Sequence, residues 1–241
     1  LEKYQEKEDL QNKITSLTNN KKVKDILDGY SPILEPTAGL GNIMNELKLM
    51  FPDVKLIGNE YMNEFSKFLK DMYPKEIITN KNFLKMDIPK NTDAIVCNPP
   101  FSFGNDKKFY YDFLFKILND MNELNNYHMK PIIFICPSLY EDSDRKESDG
   151  TYQTFTLDAI FPKIGVKKLI SLCKLYCDID ITPKQSKQLR TGDIQDDDKL
   201  ADIYNKLEFV QARKIMTCEG FGGTNIKADV YSFLLYKNKN K

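Results

Sequence analysis

The segment Asp93-Ala-Ile-Val-Cys97 runs without a break into Asn98-Pro-Pro-Phe101, and no other stretch restricts the fold as much. Successive side chains of a strand point to opposite faces, so an unbroken apolar run reads as a strand buried on both sides. Two consecutive prolines cannot continue a central strand, because each has a fixed φ and no N–H for the ladder. The chain must therefore leave a covered sheet at Asn98, on a rigid course, with a polar amide and an aromatic ring at the exit.

The same pattern recurs along the chain. Ser31-Pro-Ile-Leu-Glu35, Val54–Gly58, Glu76–Thr79 and Pro131–Cys136 read as further strands. Asn42–Met50, Tyr61–Met72 and Phe109–Leu124 carry helical apolar spacing, as does the opening stretch Leu1–Leu27. Strands alternating with helices imply an α/β fold with a mostly parallel sheet and helices on both faces. In such sheets ligands bind beyond the carboxyl ends of the strands. That rule places Glu35–Gly41, Glu60 and Asn98–Phe101 along one edge. In the last third, Lys167–Leu175 and Asp229–Tyr236 read as strands. Tyr140–Thr151 and Cys177–Asp202 are polar and read as loops without an apolar period. The simplest organisation is a single domain with polar inserts near 140–165 and 177–226. The inserts would face the substrate, with Lys184, Lys187 and Arg190 available for phosphates.

Apolar residues make up 41% of the 241 positions, enough for a globular core. No apolar run is long enough to span a membrane, and Leu1–Leu10 lacks the apolar stretch of a signal peptide, so an intracellular location, cytoplasmic or nuclear, is expected. The five cysteines, Cys97, Cys136, Cys173, Cys177 and Cys218, read as buried free thiols. Cys173 and Cys177 have no second pair or histidine cluster to complete a metal site. The one histidine, His128, lies in a polar turn away from every motif. Lys and Arg number 35, as do Asp and Glu, and this balance counts against strong autonomous binding to nucleic acid.

Three motifs carry chemistry. Glu35-Pro-Thr-Ala-Gly-Leu-Gly41 joins a strand to a helix, and its glycines permit a tight turn with room for a ligand against the backbone. It lacks the third glycine of a dinucleotide site and the Lys-Ser/Thr of a phosphate loop. Glu60 closes the second strand, nineteen residues after Gly41, where a carboxylate can accept both hydroxyls of a ribose. Asn98-Pro-Pro-Phe101 supplies carbonyl acceptors from the Asn98 side chain and Pro99 backbone that can converge on one amino group, and a ring for stacking.

Together with Asn82-Phe-Leu84, these motifs in this order resemble class I S-adenosylmethionine-dependent methyltransferases that modify amino nitrogens. The closest likeness is to the N6-adenine DNA methyltransferases with the cofactor motif ahead of the catalytic one. The resemblance covers roughly Ser31 to Cys136, and Gly223–Val230 resembles the segment before the family's last strand. It implies a Rossmann-like, doubly wound, mostly parallel seven-stranded sheet. It further implies a cofactor site built from Glu35, Pro36, Thr37, Ala38, Gly39, Gly41, Asn42, Glu60, Tyr61, Asn82 and Phe83, and a catalytic set of Asn98, Pro99, Pro100 and Phe101. Asn82 stands where the family carries an acid facing the cofactor adenine; Asp87 is an alternative. The implied substrate is DNA, or RNA, with the target adenine flipped out of the stack, and a second subunit for target recognition is compatible with the chain's size. Protein glutamine-N5 methyltransferases share the Asn-Pro-Pro-aromatic motif, which gives a second reading. A non-catalytic methyltransferase-like subunit is a third.

Overall fold

The computed structural model describes residues 21–124, 130–139, 154–194, 197–207, 211–218 and 227–235. Eight strands are present among them: β1 (Ile33–Glu35), β2 (Leu56–Asn59), β3 (Ile77–Thr79), β4 (Ala94–Cys97), β5 (Lys130–Cys136), β6 (Thr154–Phe155), β7 (Gln211–Cys218) and β8 (Ala228–Leu235). The sheet order is β3-β2-β1-β4-β5-β8-β7-β6. β1, β2, β3, β4 and β5 are joined by parallel pairings, with Leu34 opposite Ile57 and Ile95, and Cys97 opposite Phe134. Every residue of β1, β2, β4 and β5 is buried. Because alternate residues face opposite ways, these four strands are covered on both faces, as expected. β3 has exposed and half-buried positions and forms an edge. The expected sheet of seven strands has gained an eighth, β6, which pairs antiparallel with β7.

The chain divides into two compact units. One takes the described residues of Leu1–Pro99, Pro131–Ile135 and Ile215–Tyr231, and the other those of Pro100–Lys130, Cys136–Lys214 and Ser232–Lys241. In the first unit lie α1 (Lys21–Leu27), α2 (Asn42–Met50) and α3 (Asn63–Met72). α2 buries Met44 and Leu47, and α3 buries Leu69, at the three- and four-residue spacing legible in the sequence.

The second unit is mainly helical, with α4 (Tyr110–Leu124), α5 (Leu157–Ile160), α6 (Val166–Cys177), α7 (Pro183–Thr191) and α8 (Asp198–Leu207), and it also holds β6. α4 packs against α6 and α8, and α6 against α7. Two expectations are corrected here. Lys167–Leu175 is helix, not strand: Leu169, Leu172, Cys173 and Cys177 are buried, which is one face of a 3.6-residue period. Cys177–Asp202 is not a loop excursion but carries α7 and the start of α8. The polar character that suggested a loop belongs to helix caps and to the solvent-facing side of α7, where only Ser186 and Leu189 are buried. Thr182 and Gln185 form a capping box with Pro183 in the first turn, and Asp197 accepts from the Lys199 and Leu200 amides at the start of α8.

All five cysteines are free and buried, and burial raises the Cys173 and Cys177 thiols to about 12. Among the described residues no helix is long and apolar enough to cross a membrane. His128, Tyr140–Thr151, most of Leu1–Leu27 and the first half of Gly223–Val230 lie outside the described residues.

Candidate functional site

β1 and β4 are neighbours in the sheet, and the strand order reverses between them: from β1 the chain steps to β2 and β3 on one side, and from β4 to β5 on the other. At such a reversal the loops leaving the two strands diverge and open a crevice at their carboxyl ends. The loop leaving β1 is Pro36–Gly41; the one leaving β4 begins at Asn98.

These two loops are joined directly. The Thr37 hydroxyl donates to the Asn98 carbonyl at 3.0 Å, and Thr37 Oγ1 lies 3.9 Å from Cys97 Sγ. The Asn98 side chain, half-buried, makes no hydrogen bond among the described residues. Its amide is therefore open to a ligand while its backbone is held.

The turn itself is shaped by two glycines with different duties. Gly39 has φ +53, and a Cβ there would meet nothing within 4 Å. Open space thus lies over the backbone where the sequence suggests a ligand. Gly41 has φ +81, but a Cβ there would come within 2.7 Å of Leu69 and 2.9 Å of the Tyr73 ring. Its smallness serves the packing of the turn on α3, reinforced by the Tyr73 hydroxyl donating to the Gly41 carbonyl at 3.1 Å.

Both acids of the site are buried. Glu60 is 8% exposed; one oxygen accepts from the Gly39 amide at 2.8 Å and the other from Met62 N at 2.7 Å. Each carboxylate oxygen retains a second lone pair for a hydroxyl group. Glu35 is 3% exposed, and its Oε2 has no hydrogen-bond partner. Burial pushes the Glu35 carboxyl well above the ordinary glutamate range, opposed by the Met44 N–H and reinforced by the charge of Glu60.

The position of Glu60 depends on a residue the sequence reading passed over. Asn59, 1% exposed, uses its whole amide: it donates to the Pro36 and Lys81 carbonyls at 3.1 and 3.0 Å and accepts from the Thr79 hydroxyl and Lys81 N at 2.7 and 3.1 Å. It ties together the loops after β1, β2 and β3. Asparagine is depleted in strands, so its place at the end of an apolar run was the available signal. Asn80 adds donors to the Glu60 and Tyr61 carbonyls at 2.7 and 2.9 Å.

The remaining expected residues are placed as follows. Pro36 and Ala38 are buried in the turn, and Asn42 is exposed at the start of α2. Tyr61 is 73% exposed. Asn82 caps a 3-10 turn by accepting from Leu84 N at 3.1 Å, and Phe83 is packed into the core at 3% exposure. Asp87 is exposed. Asn98 and Pro99 belong to the unit that holds the turn, and Pro100 and Phe101 to the helical unit, where Phe101 meets Tyr110 edge-on with centroids 6.4 Å apart. Lys184 and Lys187 are exposed on α7, while Arg190 donates to the Pro162 carbonyl at 3.0 Å and serves that packing.

Open space over Gly39, an unpartnered Glu35 oxygen and spare lone pairs on Glu60 fit a ligand carrying an amino-acid end and a ribose.

The sequence matches no protein-family model and no curated protein. Solved structures superpose loosely on the chain. Mycolic acid cyclopropane synthase in its apo form shares 13% identity, with 90% of this chain and 88% of that one covered and a TM-score of 0.42. Human N-acetylserotonin methyltransferase in complex with SAM shares 13%, covering 95% and 56%, at 0.46. TehB from Haemophilus influenzae shares 16%, covering 91% and 62%, at 0.45. The chain spans just over half the length of the human enzyme. At these scores the likenesses assign no activity.

Proposed function

We propose that the chain transfers a methyl group from S-adenosylmethionine to the N6 amino group of adenine in DNA or RNA. The observation that carries the reading is the Thr37–Asn98 hydrogen bond: it joins the glycine turn after β1 to the tetrapeptide after β4, at the reversal point of a doubly wound sheet.

When bound, the cofactor supplies an electrophilic methyl group on a sulfonium. The chain's own part is placement. Gly39 leaves room for the methionine end, Glu35 offers that end an unpartnered oxygen, and Glu60 accepts the ribose hydroxyls. On the acceptor side, the exocyclic amine is a weak nucleophile because its lone pair is delocalised into the ring. Hydrogen bonds from that amine to the Asn98 side-chain oxygen and the Pro99 carbonyl favour a pyramidal nitrogen, and Phe101 stacks on the base to hold it in line.

The test is transfer of labelled methyl from the cofactor to DNA, RNA and protein pools, followed by digestion. Label in N6-methyladenine is expected, and Asn98→Ala is expected to lower turnover about 10²–10³-fold with cofactor affinity unchanged. Label recovered only in glutamine side chains, the reading favoured by zero net charge, would overturn the adenine assignment. No transfer to any pool, with no cofactor bound, would overturn the enzyme assignment.

A further inference from the structure

We infer that Phe103 and Phe109 form a stacking step for an unpaired nucleobase flanking the target base, and so direct the enzyme to single-stranded or locally unstacked nucleic acid. The inference rests on the proposed methylation of adenine.

The segment after the tetrapeptide, Ser102–Phe109, lies wholly in the helical unit. It folds into a closed turn: Phe103 N donates to the Asp106 carbonyl and Asp106 N to the Phe103 carbonyl, both at 3.0 Å, with Gly104 at φ +56. Asp106 then fastens the turn. Its Oδ1 accepts from Lys108 N at 2.9 Å, and its Oδ2 pairs with Lys168 of α6 at 2.7 Å. Lys168 also pairs with Asp112 of α4, to which the Tyr176 hydroxyl donates at 3.3 Å. Burial works to raise the Asp106 carboxyl, but the Lys168 and Lys108 interactions outweigh it and hold the group below the usual range. Asp106 is thus ionised at neutral pH.

What this fixed turn holds out is a phenylalanine 71% exposed. Exposing a ring of this size forfeits roughly 1.5–3 kcal/mol of burial, and here the exposure is built in. Phe103 lies against Phe109 with centroids 5.3 Å apart and planes tilted by 32°, and Phe109 meets the buried Phe113 edge-on at 5.5 Å. The three rings run from core to solvent and leave one outer face of Phe103 open. Lys107 and Lys108 follow, both exposed, although the Lys108 ammonium is engaged by the Lys163 carbonyl. Lys107 is the one placed to meet a phosphate. An aromatic face beside a cation suits a base and its backbone. Within a duplex both faces of a base are covered by neighbours; flipping the target uncovers the flanking base, and Phe103 is only two residues along the chain from Phe101.

The experiment uses the full chain, saturated with cofactor, and fluorescent adenine-containing oligonucleotides that are single-stranded, fully paired, or abasic beside the adenine. Phe103→Ala is expected to weaken single-strand binding about 5–150-fold, the range for one stacked base, with cofactor affinity unchanged. Phe103→Trp restores it, and the abasic oligonucleotide loses the same factor with wild type but little more with Phe103→Ala. Adenine methylation with KM and affinity unchanged in Phe103→Ala, or binding insensitive to the abasic position, would overturn the stacking step and leave the proposed function standing. A wild-type chain that binds no oligonucleotide overturns both, whereas a Phe103→Ala change that only dissolves self-association overturns the stacking step alone.

Discussion

At Thr37 a single hydroxyl decides between two roles. Its place in the glycine turn reads from sequence as a cofactor contact, yet its proton goes to the Asn98 carbonyl. On the proposed function Thr37 acts as a positioning residue, and Thr37→Val is expected to lower kcat about tenfold, the scale of one hydrogen bond of about 1.4 kcal/mol. Cofactor affinity should hold, and Thr37→Ser should restore the rate. A loss of cofactor affinity measured by calorimetry, with kcat intact, would return Thr37 to the cofactor. Glu35 invites a different measurement. A carboxyl whose folded-state value lies above its unfolded value holds more protons folded than unfolded between the two. Its stability contribution is therefore complete below the unfolded value, roughly 4.3, and is lost as pH rises through the folded one. Glu35→Gln removes that loss, so the variant should gain in Tm over wild type as pH is raised from 4 to 8 without ligand. Melting curves that shift with pH in parallel would show that Glu35 carries no such cost. Neither role was legible in the sequence, because the Glu35 shift comes first from burial that only the folded sheet creates, and the Thr37 hydrogen bond reaches Asn98, distant along the chain.

Among the elements, strands and helices up to β5 were legible within a few residues, and Asn42–Met50 matched α2 end to end. That region alternates long apolar runs with helical periods, so local pattern and tertiary burial agree. The misreadings fall where they do not. Val166–Cys177 is so rich in apolar residues that a short window of it passes for a strand. In α7 only Ser186 and Leu189 turn inward, too few for a period to show. α8 was the more readable of the two: Leu200, Ile203 and Leu207 are buried at helical spacing, behind an acidic run that is its own N-cap. Because Ile203 is 0% exposed, Ile203→Ala is expected to cost about 2–5 kcal/mol in urea denaturation. A cost below 0.5 kcal/mol would restore the view of this segment as a dispensable loop.

For the molecule as a whole, the reach of the sequence was set by sequence distance. The doubly wound arrangement follows from alternation alone, whereas the insertion of β8 between β5 and β7 depends on pairings between distant segments that no local period reports. Ligand binding offers a global readout of the proposed site. A ligand present at a hundred times its Kd stabilises the folded chain by about 2.7 kcal/mol, a rise in Tm of roughly 5–10 °C at this length. S-adenosylmethionine should produce that rise in wild type. Gly39→Val should abolish it while the ligand-free stability falls by only the cost of its left-handed backbone, about 1–2 kcal/mol. An undiminished rise in the variant would move the cofactor away from the turn.

The contrast between Gly39, with empty space where a side chain would go, and Gly41, pressed against Leu69 and Tyr73, separates two kinds of selection. In a library randomised at both positions, sorting for folded protein alone retains glycine at 41, since any other residue meets both steric overlap and a left-handed backbone. Position 39 drifts under that sorting toward asparagine and aspartate, which tolerate such a backbone. Glycine returns at 39 only when cells must use the bound ligand to survive. The ratio of the two enrichments then measures, from sequence counts alone, how much of the turn is kept for the fold and how much for what it holds.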